Sequence, residues 1–379
     1  MHSLVIPLLV LVSVSIILAY AWLIRTPIHV KGRQSIEPYT IDKPSLSIVI
    51  PFRNEEKNLK SLLKELNRQS YAKNLIEVIA VDDHSEDNSN RILEETIDYC
   101  SFRFKLIRLN KDEKGKKMAL SRGIEAATSE LIICTDADTS HDEKWLEQLT
   151  IPFNDHKVEM IIGPVGMHQI KNRFHRLQNL ELLAFQYITL SFALRGDAIL
   201  CNGANLAFRK ATFNRLGGYS QHRDISSGDD LFLMLDLKQK APFSIVCANN
   251  RDAFAKIRPS ETLGQLVAQK VRWASKSIHV HDKSFLYISS LFALSNAWLL
   301  LLPILEWGST NWPLISIAYV TLKFVLDFHM ITQASKLNSI QLKYVDFFLG
   351  FLCYPFYLLA IFFASMTYKP TWKGRKIAS

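Results

Sequence analysis

Six aspartates in the middle of the chain stand in three close pairs: Asp82 and Asp83, Asp136 and Asp138, Asp229 and Asp230. The first pair directly follows the short apolar run EVIAV, and the second begins one residue after the run LIIC; both runs are typical of strands. Carboxylates that gather in one place repel each other unless a cation lies among them. A hard divalent ion such as Mg²⁺ takes oxygen ligands, commonly from one or two carboxylates and substrate phosphates. The pattern therefore predicts a cation site that also receives a phosphate-bearing ligand.

Each pair also has an ordinary structural explanation. The first pair fits a solvated turn. A DxD motif such as the second is expected about once by chance in a chain of this size, although alternation along a strand turns both of its side chains to the same side. The third pair precedes an apolar helical stretch, where acidic residues favour the first turn of a helix. The position of the first two pairs after buried strands is what favours a ligand site.

Lys116 follows Gly115 where a helix is predicted to begin. A helix N-terminus with a lysine suits a phosphate, and a solvated charge run, KDEKGKK, explains the same residues without a ligand. The sequence contains neither a GxxxxGK[ST] nor a GxGxxG motif. ATPase and dehydrogenase functions therefore lose their strongest support.

A third candidate lies in the segment QKVRW, just before the C-terminal apolar runs. On a helix, Gln269, Arg272 and Trp273 stand at i, i+3 and i+4 and share one face. That face suits either a docked ligand or an interfacial anchor, because Trp and Arg also collect at membrane surfaces. Lys270 and Lys276 are expected to face lipid head groups.

Alternating strands and helices must position these residues. The predicted strands are Ser47–Pro51, Glu77–Val81, Phe104–Leu109, Leu131–Cys134 and Val158–Gly163, and the first helices are Glu55–Gln69 and Lys116–Ala127. This alternation predicts an α/β fold with a mostly parallel sheet. Ligands bind beyond the carboxyl ends of such strands, so Arg53 and Glu55, which follow the first strand, are expected beside the aspartates.

Apolar runs near both ends indicate an integral membrane protein, in line with 48% hydrophobic residues and a mean hydropathy of +0.06. The runs are Leu4–Ile24, Phe285–Trp307, Trp312–Ile331 and Tyr344–Met366. No basic residue precedes the first run, which favours an uncleaved anchor over a signal peptide. A further segment, Arg173–Leu194, fits either an amphipathic helix lying on the membrane or a buried core helix.

The net charge of +9 is concentrated beside the apolar runs. That distribution is the pattern of cytoplasmic flanks and excludes nucleic acid as the preferred partner. We expect an anchor over 1–25, a cytoplasmic catalytic domain over 44–283, membrane helices over 284–367 and a basic tail over 368–379. Three crossings from the cytoplasm leave that tail outside, although its basic residues favour the inside.

The cysteines are odd in number and scattered, without a CxxC motif: Cys100, Cys134, Cys201, Cys247 and Cys353. This spacing suits a reducing compartment and argues against a disulfide framework or a zinc site.

The ordered set of motifs resembles that of the family 2 glycosyltransferases of the GT-A fold. Within that family it is similar to the membrane-integrated branch that includes cellulose, chitin, hyaluronan and poly-N-acetylglucosamine synthases and ceramide glucosyltransferase. The resemblance covers Ser45 to Trp273, with the segments SIVIPFRNEE, EVIAVDDHSEDNS, KGKKMALSRGI, CTDADT, SGDDL and QKVRW. Two positions depart from the family pattern: Ser121 stands where Asn is common, and Asp229 where Glu is usual.

The resemblance implies roles for these residues. The nucleotide of a UDP-sugar would be bound by Pro51, Arg53, Glu55, Asp82, Asp83, Lys116 and Asp136. Asp138, with Asp136, would bind Mg²⁺ or Mn²⁺. Asp230 would be the general base, with Asp229 beside it in the catalytic pair. Gln269, Arg272 and Trp273 would form the platform for the acceptor and the diphosphate.

The leading hypothesis is thus a metal-dependent, inverting, membrane-bound hexosyltransferase. It would move a sugar from a UDP-sugar to a lipid or glycan acceptor at the cytoplasmic face of the inner membrane. A processive polysaccharide synthase that exports its polymer is the alternative within the family. A catalytically inactive sugar-nucleotide-binding protein and a nucleotidyltransferase are alternatives from other classes.

Overall fold

The structure is a computed structural model that describes residues 2–25, 43–220, 228–248, 250–307, 313–338, 340–368, 371–372 and 375–376. The chain divides into two compact units. The α/β unit comprises the described parts of Lys31–Ile170, Phe192–Ser260 and Lys369–Ser379. The helical unit comprises the described parts of Met1–Val30, Lys171–Ser191 and Glu261–Tyr368.

Helices and strands are numbered in chain order. The α-helices of the described residues are α1 (His2–Ile24), α2 (Leu59–Asn67), α3 (Ser89–Ile97), α4 (Lys116–Ala126), α5 (Trp145–Thr150), α6 (Arg173–Leu194), α7 (Lys210–Arg215), α8 (Asp229–Lys240), α9 (Leu263–Ser277), α10 (Lys283–Leu305), α11 (Leu314–Leu337) and α12 (Tyr344–Thr367). The strands are β1 (Leu46–Phe52), β2 (Ile76–Asp82), β3 (Arg103–Arg108), β4 (Leu131–Cys134), β5 (Ser140–His141), β6 (Met160–Ile162), β7 (Val165–Met167), β8 (Leu206–Arg209), β9 (Ile245–Cys247), β10 (Ala255–Ile257), β11 (Thr371–Trp372) and β12 (Arg375–Lys376).

The main sheet of the α/β unit has the strand order β3-β2-β1-β4-β8-β6-β9. Its neighbours pair in parallel except at β8, which runs antiparallel to both β4 and β6. The register of β1 against β2 aligns Leu46 with Ile76 and Phe52 with Asp82. The predicted α/β fold with a mostly parallel sheet is therefore confirmed. The antiparallel direction of β8, a short strand within the segment Cys201–Lys210, and a small sheet of order β5-β10-β7 lie outside what the sequence predicted.

Strands β1, β2 and β4 are buried along their whole length, which explains their near-continuous β-branched and apolar sequences. Helix α4 packs on β1 and β2 through Gly123. A Cβ atom at Gly123 would lie only 2.4 Å from Cγ1 of Val49. Glycine at this position therefore lets α4, and with it Lys116, approach the sheet closely.

One buried carboxylate fixes the opposite end of the same strands. Glu77 of β2 accepts hydrogen bonds from Ser47 Oγ at 2.5 Å and from the backbone N–H of Thr128 at 2.9 Å, and it pairs with Lys105 Nζ at 2.9 Å. Burial alone raises the pKa of a carboxyl group, but these hydrogen bonds and Lys105 lower the pKa of Glu77 to about 2. The carboxylate thereby ties β1, β2 and β3 to the end of α4.

The helical unit contains four helices long and apolar enough to cross a membrane: α1, α10, α11 and α12. These helices match the four predicted apolar runs. Glu306 accepts hydrogen bonds from the backbone N–H groups of Ile315 and Ser316 at 3.0 Å and so caps α11. The apolar helix α11 contains an ion pair that the sequence did not predict. Lys323 is buried and pairs with Asp327 at 2.7 Å.

The division into units cuts across the predicted catalytic span 44–283, because α6 and α9 group with the membrane helices. Within the helical unit, Arg173 and Arg176 of α6 pair with Asp346 of α12. The assignment of 44–283 as one cytoplasmic domain stays a prediction. Of the basic residues beside the first apolar run, Lys31 and Arg33 lie outside the described residues.

Candidate active site

A lysine and an aspartate from neighbouring elements meet beyond the carboxyl end of β4. Lys116 is the first residue of α4, and its Nζ donates to Asp136 Oδ1 at 2.5 Å. The two side chains are 26% and 31% exposed, so the pair is partly accessible to solvent. Lys116 is thus the cationic partner of Asp136, as expected where carboxylates lie close together.

The third aspartate pair belongs to the same neighbourhood. Burial opposes the charge of Lys116, but Asp136 and Asp229, followed by Asp230, raise the pKa of its ammonium group above the usual range. Lys116 therefore stays protonated at any working pH. One ammonium group thus lies within electrostatic range of three carboxylates, and the catalytic roles of these residues stay predictions.

Asp229 and Asp230 form the first turn of α8, which follows Gly228 in a left-handed conformation with φ of 92°. Asp229 is buried. Asp230 Oδ2 accepts a hydrogen bond from the backbone N–H of Gly203 at 2.7 Å, and its Oδ1 accepts one from the N–H of Leu231 at 2.9 Å. The helix dipole stabilises carboxylates at the N-terminus of α8. The two hydrogen bonds fix the orientation of Asp230.

The first aspartate pair shapes the loop after β2. Asp82 accepts hydrogen bonds from the backbone N–H of Ser85 at 2.9 Å and from Asn90 Nδ2 at 3.0 Å. Asp83 is fully buried, and its Oδ2 accepts from the N–H of Gly115 at 3.1 Å. Gly115 has φ of 96°, a conformation that favours glycine. Asp83 therefore holds the residue immediately before Lys116.

The loop after β1 is locked to the loop after β2. Pro51 is buried within β1, and Arg53 donates to the carbonyl oxygens of Asp83, at 2.9 Å, and His84. Arg53 also pairs with Glu86 at 2.8 Å, and Glu55 is buried and accepts from Asn58 Nδ2 at 2.6 Å. These contacts give the loop a defined shape; nucleotide binding by these residues stays a prediction.

Asp138 is exposed, and a buried hydroxyl network lies behind its turn. Thr139 Oγ1 donates to the carbonyl of Asp136 at 2.7 Å, and Thr135 Oγ1 donates to the carbonyl of Ala204 at 2.9 Å. His141 Nε2 lies 3.0 Å from both hydroxyls, and its ring stacks on Trp145 with centroids 3.7 Å apart. Since each hydroxyl proton is already used, we assign the proton of His141 to Nε2.

Sequence interpretation missed this network, although Thr135, Thr139 and His141 all lie within the segment CTDADTSH. It also missed two buried groups near the acidic cluster. Burial, followed by the charge of Asp229, raises the pKa of the Cys134 thiol. Burial, followed by Cys134 and Asp229, raises the pKa of the Tyr219 hydroxyl. Both groups therefore stay protonated and neutral near pH 7.

Gln269, Arg272 and Trp273 lie on α9, as the helical spacing predicted. All three are half-buried. They belong to the helical unit, whereas the acidic cluster belongs to the α/β unit. Their participation in one site with the aspartates stays a prediction.

The residues that the structure describes contain no group of three or more His, Cys, Asp or Glu side chains placed to hold a metal ion unaided. A site built from Asp138 and Asp136 would offer oxygen donors alone. That donor set fits Mg²⁺ or Mn²⁺ with the remaining ligands from a diphosphate.

The chain is similar to known proteins in both sequence and fold. The model of the family described as Glycosyl transferase family 2 matches residues 47–217. That range begins at the second residue of β1 and ends just after α7. This part of the chain is therefore similar to the family 2 glycosyltransferase domain.

Two relatives show how far the similarity extends. The chain is 27% identical over 180 residues to a probable glycosyltransferase, YdaM, of Bacillus subtilis, covering 46% of this chain and 43% of that protein. It is 27% identical over 310 residues to the poly-beta-1,6-N-acetyl-D-glucosamine synthase of Staphylococcus epidermidis, covering 79% of this chain and 68% of that protein. The chain thus spans less than half of one relative and about two thirds of the other.

A solved structure shares the fold. It is the mannosyltransferase PcManGT from Pyrobaculum calidifontis in complex with GDP-Man and Mn²⁺, with a TM-score of 0.61 and 16% identity. The match covers 97% of this chain and 99% of that chain. The GT-A fold expected from the sequence is confirmed.

Proposed function

We propose that the protein is a membrane-bound, inverting glycosyltransferase that transfers a sugar from a UDP-sugar to a lipid or glycan acceptor at the cytoplasmic face of the membrane. The observation that carries this proposal is the cluster of Lys116, Asp136, Asp229 and Asp230 in a family 2 domain. Breaking a glycosyl–phosphate bond leaves negative charge on the diphosphate and requires a base for the acceptor hydroxyl. The cluster offers both a cationic and an acidic side.

On the donor side, Asp138 and Asp136 would hold Mg²⁺ or Mn²⁺. The bound ion would stabilise the charge that develops on the leaving diphosphate. Lys116 already neutralises Asp136 and adds positive charge at the start of α4. Asp83, Asp82, Arg53 and Glu55 would shape the nucleotide pocket through the paired loops after β1 and β2. The Mn²⁺ in the related mannosyltransferase supports this assignment.

On the acceptor side, Asp230 would take the proton of the attacking hydroxyl. Its two carboxylate oxygens accept the backbone N–H groups of Gly203 and Leu231, which hold the carboxylate in one orientation, and an ionised carboxylate can take up a proton. Asp229 is buried at its side and adds to the negative charge there. A single base with in-line displacement gives inversion at the anomeric carbon. The neutral thiol of Cys134 is not a nucleophile at this pKa.

Gln269, Arg272 and Trp273 of α9 would bind the acceptor and the diphosphate. A guanidinium group can bind a diphosphate through two parallel hydrogen bonds. An indole offers an apolar face to a sugar ring. The resemblance of QKVRW to the QxxRW motif of the family supports these roles.

A cavity in the helical unit favours a lipid acceptor. Its volume is about 240 Å³, larger than the ~150 Å³ engineered cavity that binds benzene. Its walls are mainly apolar side chains from five helices, among them Leu177, Leu266, Phe292, Ile331 and Phe351. A segment of a hydrocarbon chain fits such a space, and four candidate membrane helices are a small bundle for a polymer channel.

Polymer synthesis is the second candidate. The similarity to a poly-N-acetylglucosamine synthase over 79% of this chain favours it. The length of the product made from a labelled UDP-sugar separates the two. A single labelled glycolipid supports transfer to lipid, and a ladder of long chains supports the synthase.

The test of the proposed class is nucleotide release by the full chain in lipid nanodiscs. Purified protein with Mn²⁺ or Mg²⁺ is offered a panel of UDP-sugars and GDP-sugars, with and without a lipid extract. Release of UDP that increases with the extract supports the proposal. Release of pyrophosphate would instead identify a nucleotidyltransferase, and no turnover with any donor would favour a catalytically inactive binding protein.

A further inference from the structure

The sequence predicted that Lys270, the second residue of QKVRW, faces lipid head groups. The structure contradicts this prediction. The side chain of Lys270 is 11% exposed, and its ammonium group pairs with Glu181 of α6, which is 9% exposed. A lysine that only anchored the helix at a membrane surface would keep its charge in water. This lysine is therefore built into the helical unit.

The same ammonium group lies against two aromatic rings. Lys270 Nζ is 4.3 Å from the ring centroid of Trp273 and 5.5 Å from that of Phe185. The two rings meet edge to face, with centroids 6.4 Å apart. Cations are attracted to aromatic faces at such distances, most strongly to Trp and when water is excluded. The ammonium group therefore covers one face of the indole.

The ion pair and the two aromatic rings come from two helices, with one charged and one aromatic residue on each. Glu181 and Phe185 are one turn apart on α6, and Lys270 and Trp273 are one turn apart on α9. Tyr354 of α12 adds a hydroxyl that donates to Glu181 Oε1 at 3.4 Å.

We propose that Lys270 and Glu181 are positioning residues that fix the orientation of the Trp273 indole, so that its other face is presented to the acceptor. Glu181 is the ion-pair partner of Lys270 at this nearly buried position, where an ammonium group without a partner would be strongly unfavourable. The charged ammonium group then holds the ring. The acceptor role of Trp273 rests on the proposed function, whereas the orientation of the ring does not.

The first test is kinetic and uses the full chain in nanodiscs. Lys270→Met keeps the length of the side chain but removes its charge, and Lys270→Arg keeps the charge. We expect Lys270→Met to raise KM for the acceptor on the order of ten-fold, with KM for the donor unchanged, and Lys270→Arg to restore most of the loss. Lys276→Met, on the same helix, is the matched control and should behave like wild type.

The second test needs no activity. The Trp273 contribution to fluorescence is the difference between the spectra of wild type and Trp273→Phe, and the same difference is measured in the Lys270→Met, Glu181→Gln and Lys276→Met backgrounds. We expect the emission wavelength of Trp273 to shift in the first two backgrounds but not in the third. Because Glu181→Gln removes a different side chain, it keeps the test open if Lys270→Met fails to fold.

Identical Trp273 spectra in the Lys270→Met, Glu181→Gln and Lys276→Met backgrounds would overturn the inference. So would a loss in Lys270→Met confined to kcat and thermal stability, since that result describes a merely structural ion pair. If no donor is turned over by wild type, the proposed function fails, and the spectra alone decide the role of Lys270.

Discussion

At the scale of single residues, Lys116 supplies the positive charge that stabilises the acidic cluster. Three carboxylates act on its ammonium group and raise its pKa. Conversely, the positive charge of the ammonium group offsets part of the repulsion among these carboxylates. Among the residues proposed for the site, Lys116 thus connects the donor side to the base.

Replacing this cation should make stability depend on pH. In Lys116→Met, three carboxylates lack their counter-charge, so their mutual repulsion should destabilise the folded state where they are ionised and favour proton uptake as pH falls. The folded state then binds more protons, and its deficit in stability should shrink as pH falls. Thermal unfolding at pH 8 and pH 5 measures this, with a lower Tm than wild type at pH 8 and a smaller gap at pH 5. An equal gap at both pH values would contradict the electrostatic role.

Asp138 is the residue on which metal dependence should rest. Asp138→Asn keeps the size of the side chain but removes a charged oxygen ligand, so donor turnover should fall by roughly 10²-fold or more. The measurement is UDP release over a range of Mn²⁺ concentrations. Asp98→Asn, at an exposed position after α3, is the control and should keep wild-type turnover. Equal metal dependence in both variants would remove Asp138 from the metal site.

The predictability of the site differed from residue to residue. Asp136 was placed correctly because it follows a buried parallel strand, whose carboxyl end is a fixed location in this fold. The pairing of Asp230 with the N–H of Gly203 was not predictable, because these residues stand 27 positions apart with β8 and α7 between them. The burial of Lys270 was missed because an amphipathic side chain beside an apolar run is compatible with both water and protein.

At the scale of elements, the turn that carries Asp136 and Asp138 rests on His141. Burial, with a contribution from Lys256, lowers the pKa of His141 to about 3. The backbone N–H of His141 donates to Glu65 Oε2 at 2.9 Å, which joins the turn to α2. Among the described residues, Nδ1 of this ring has no hydrogen-bond partner. A neutral histidine thus supports the loop of the proposed metal ligands.

His141 should make the α/β unit sensitive to acid. Its pKa is lower in the folded than in the unfolded state, so the unfolded chain binds more protons between pH 6.5 and 3, and stability falls as pH drops below about 6.5. Between pH 7 and 5 the loss should be about 2 kcal/mol from this group. Unfolding at the two pH values in wild type and His141→Gln measures it. The loss should be smaller in the variant, and an equal loss would contradict the assignment.

Element boundaries were predictable where burial was continuous. Strand β4 coincides with the predicted Leu131–Cys134, and α6 with Arg173–Leu194, since long or fully buried apolar runs mark their own ends. Strands β5, β7 and β10 have only two or three residues and pair with distant segments. Such short strands carry almost no periodic signal, so only the tertiary fold reveals them.

At the scale of the whole molecule, the four apolar helices and the charge distribution predict orientation. The α/β unit should lie in the cytoplasm, and the end of α10 should lie outside, because α10 begins at the basic residue Lys283. In a background without native cysteines, Tyr99→Cys is exposed on the α/β unit and Trp307→Cys lies just after α10. In sealed right-side-out vesicles, an impermeant maleimide should label position 307 alone. Labelling of position 99 instead would reverse the orientation.

The most direct measurement of the central claim is transfer of a labelled sugar from its nucleotide donor by the intact protein, comparing wild type with Asp230→Asn and Asp229→Asn. Asparagine keeps the shape of Asp230 and can still accept one backbone N–H, but it cannot take the acceptor proton. We predict that Asp230→Asn abolishes transfer while UDP binding, measured by calorimetry, is retained, and that Asp229→Asn keeps part of the activity. Near-normal transfer by Asp230→Asn would contradict the proposal that this carboxylate is the catalytic base.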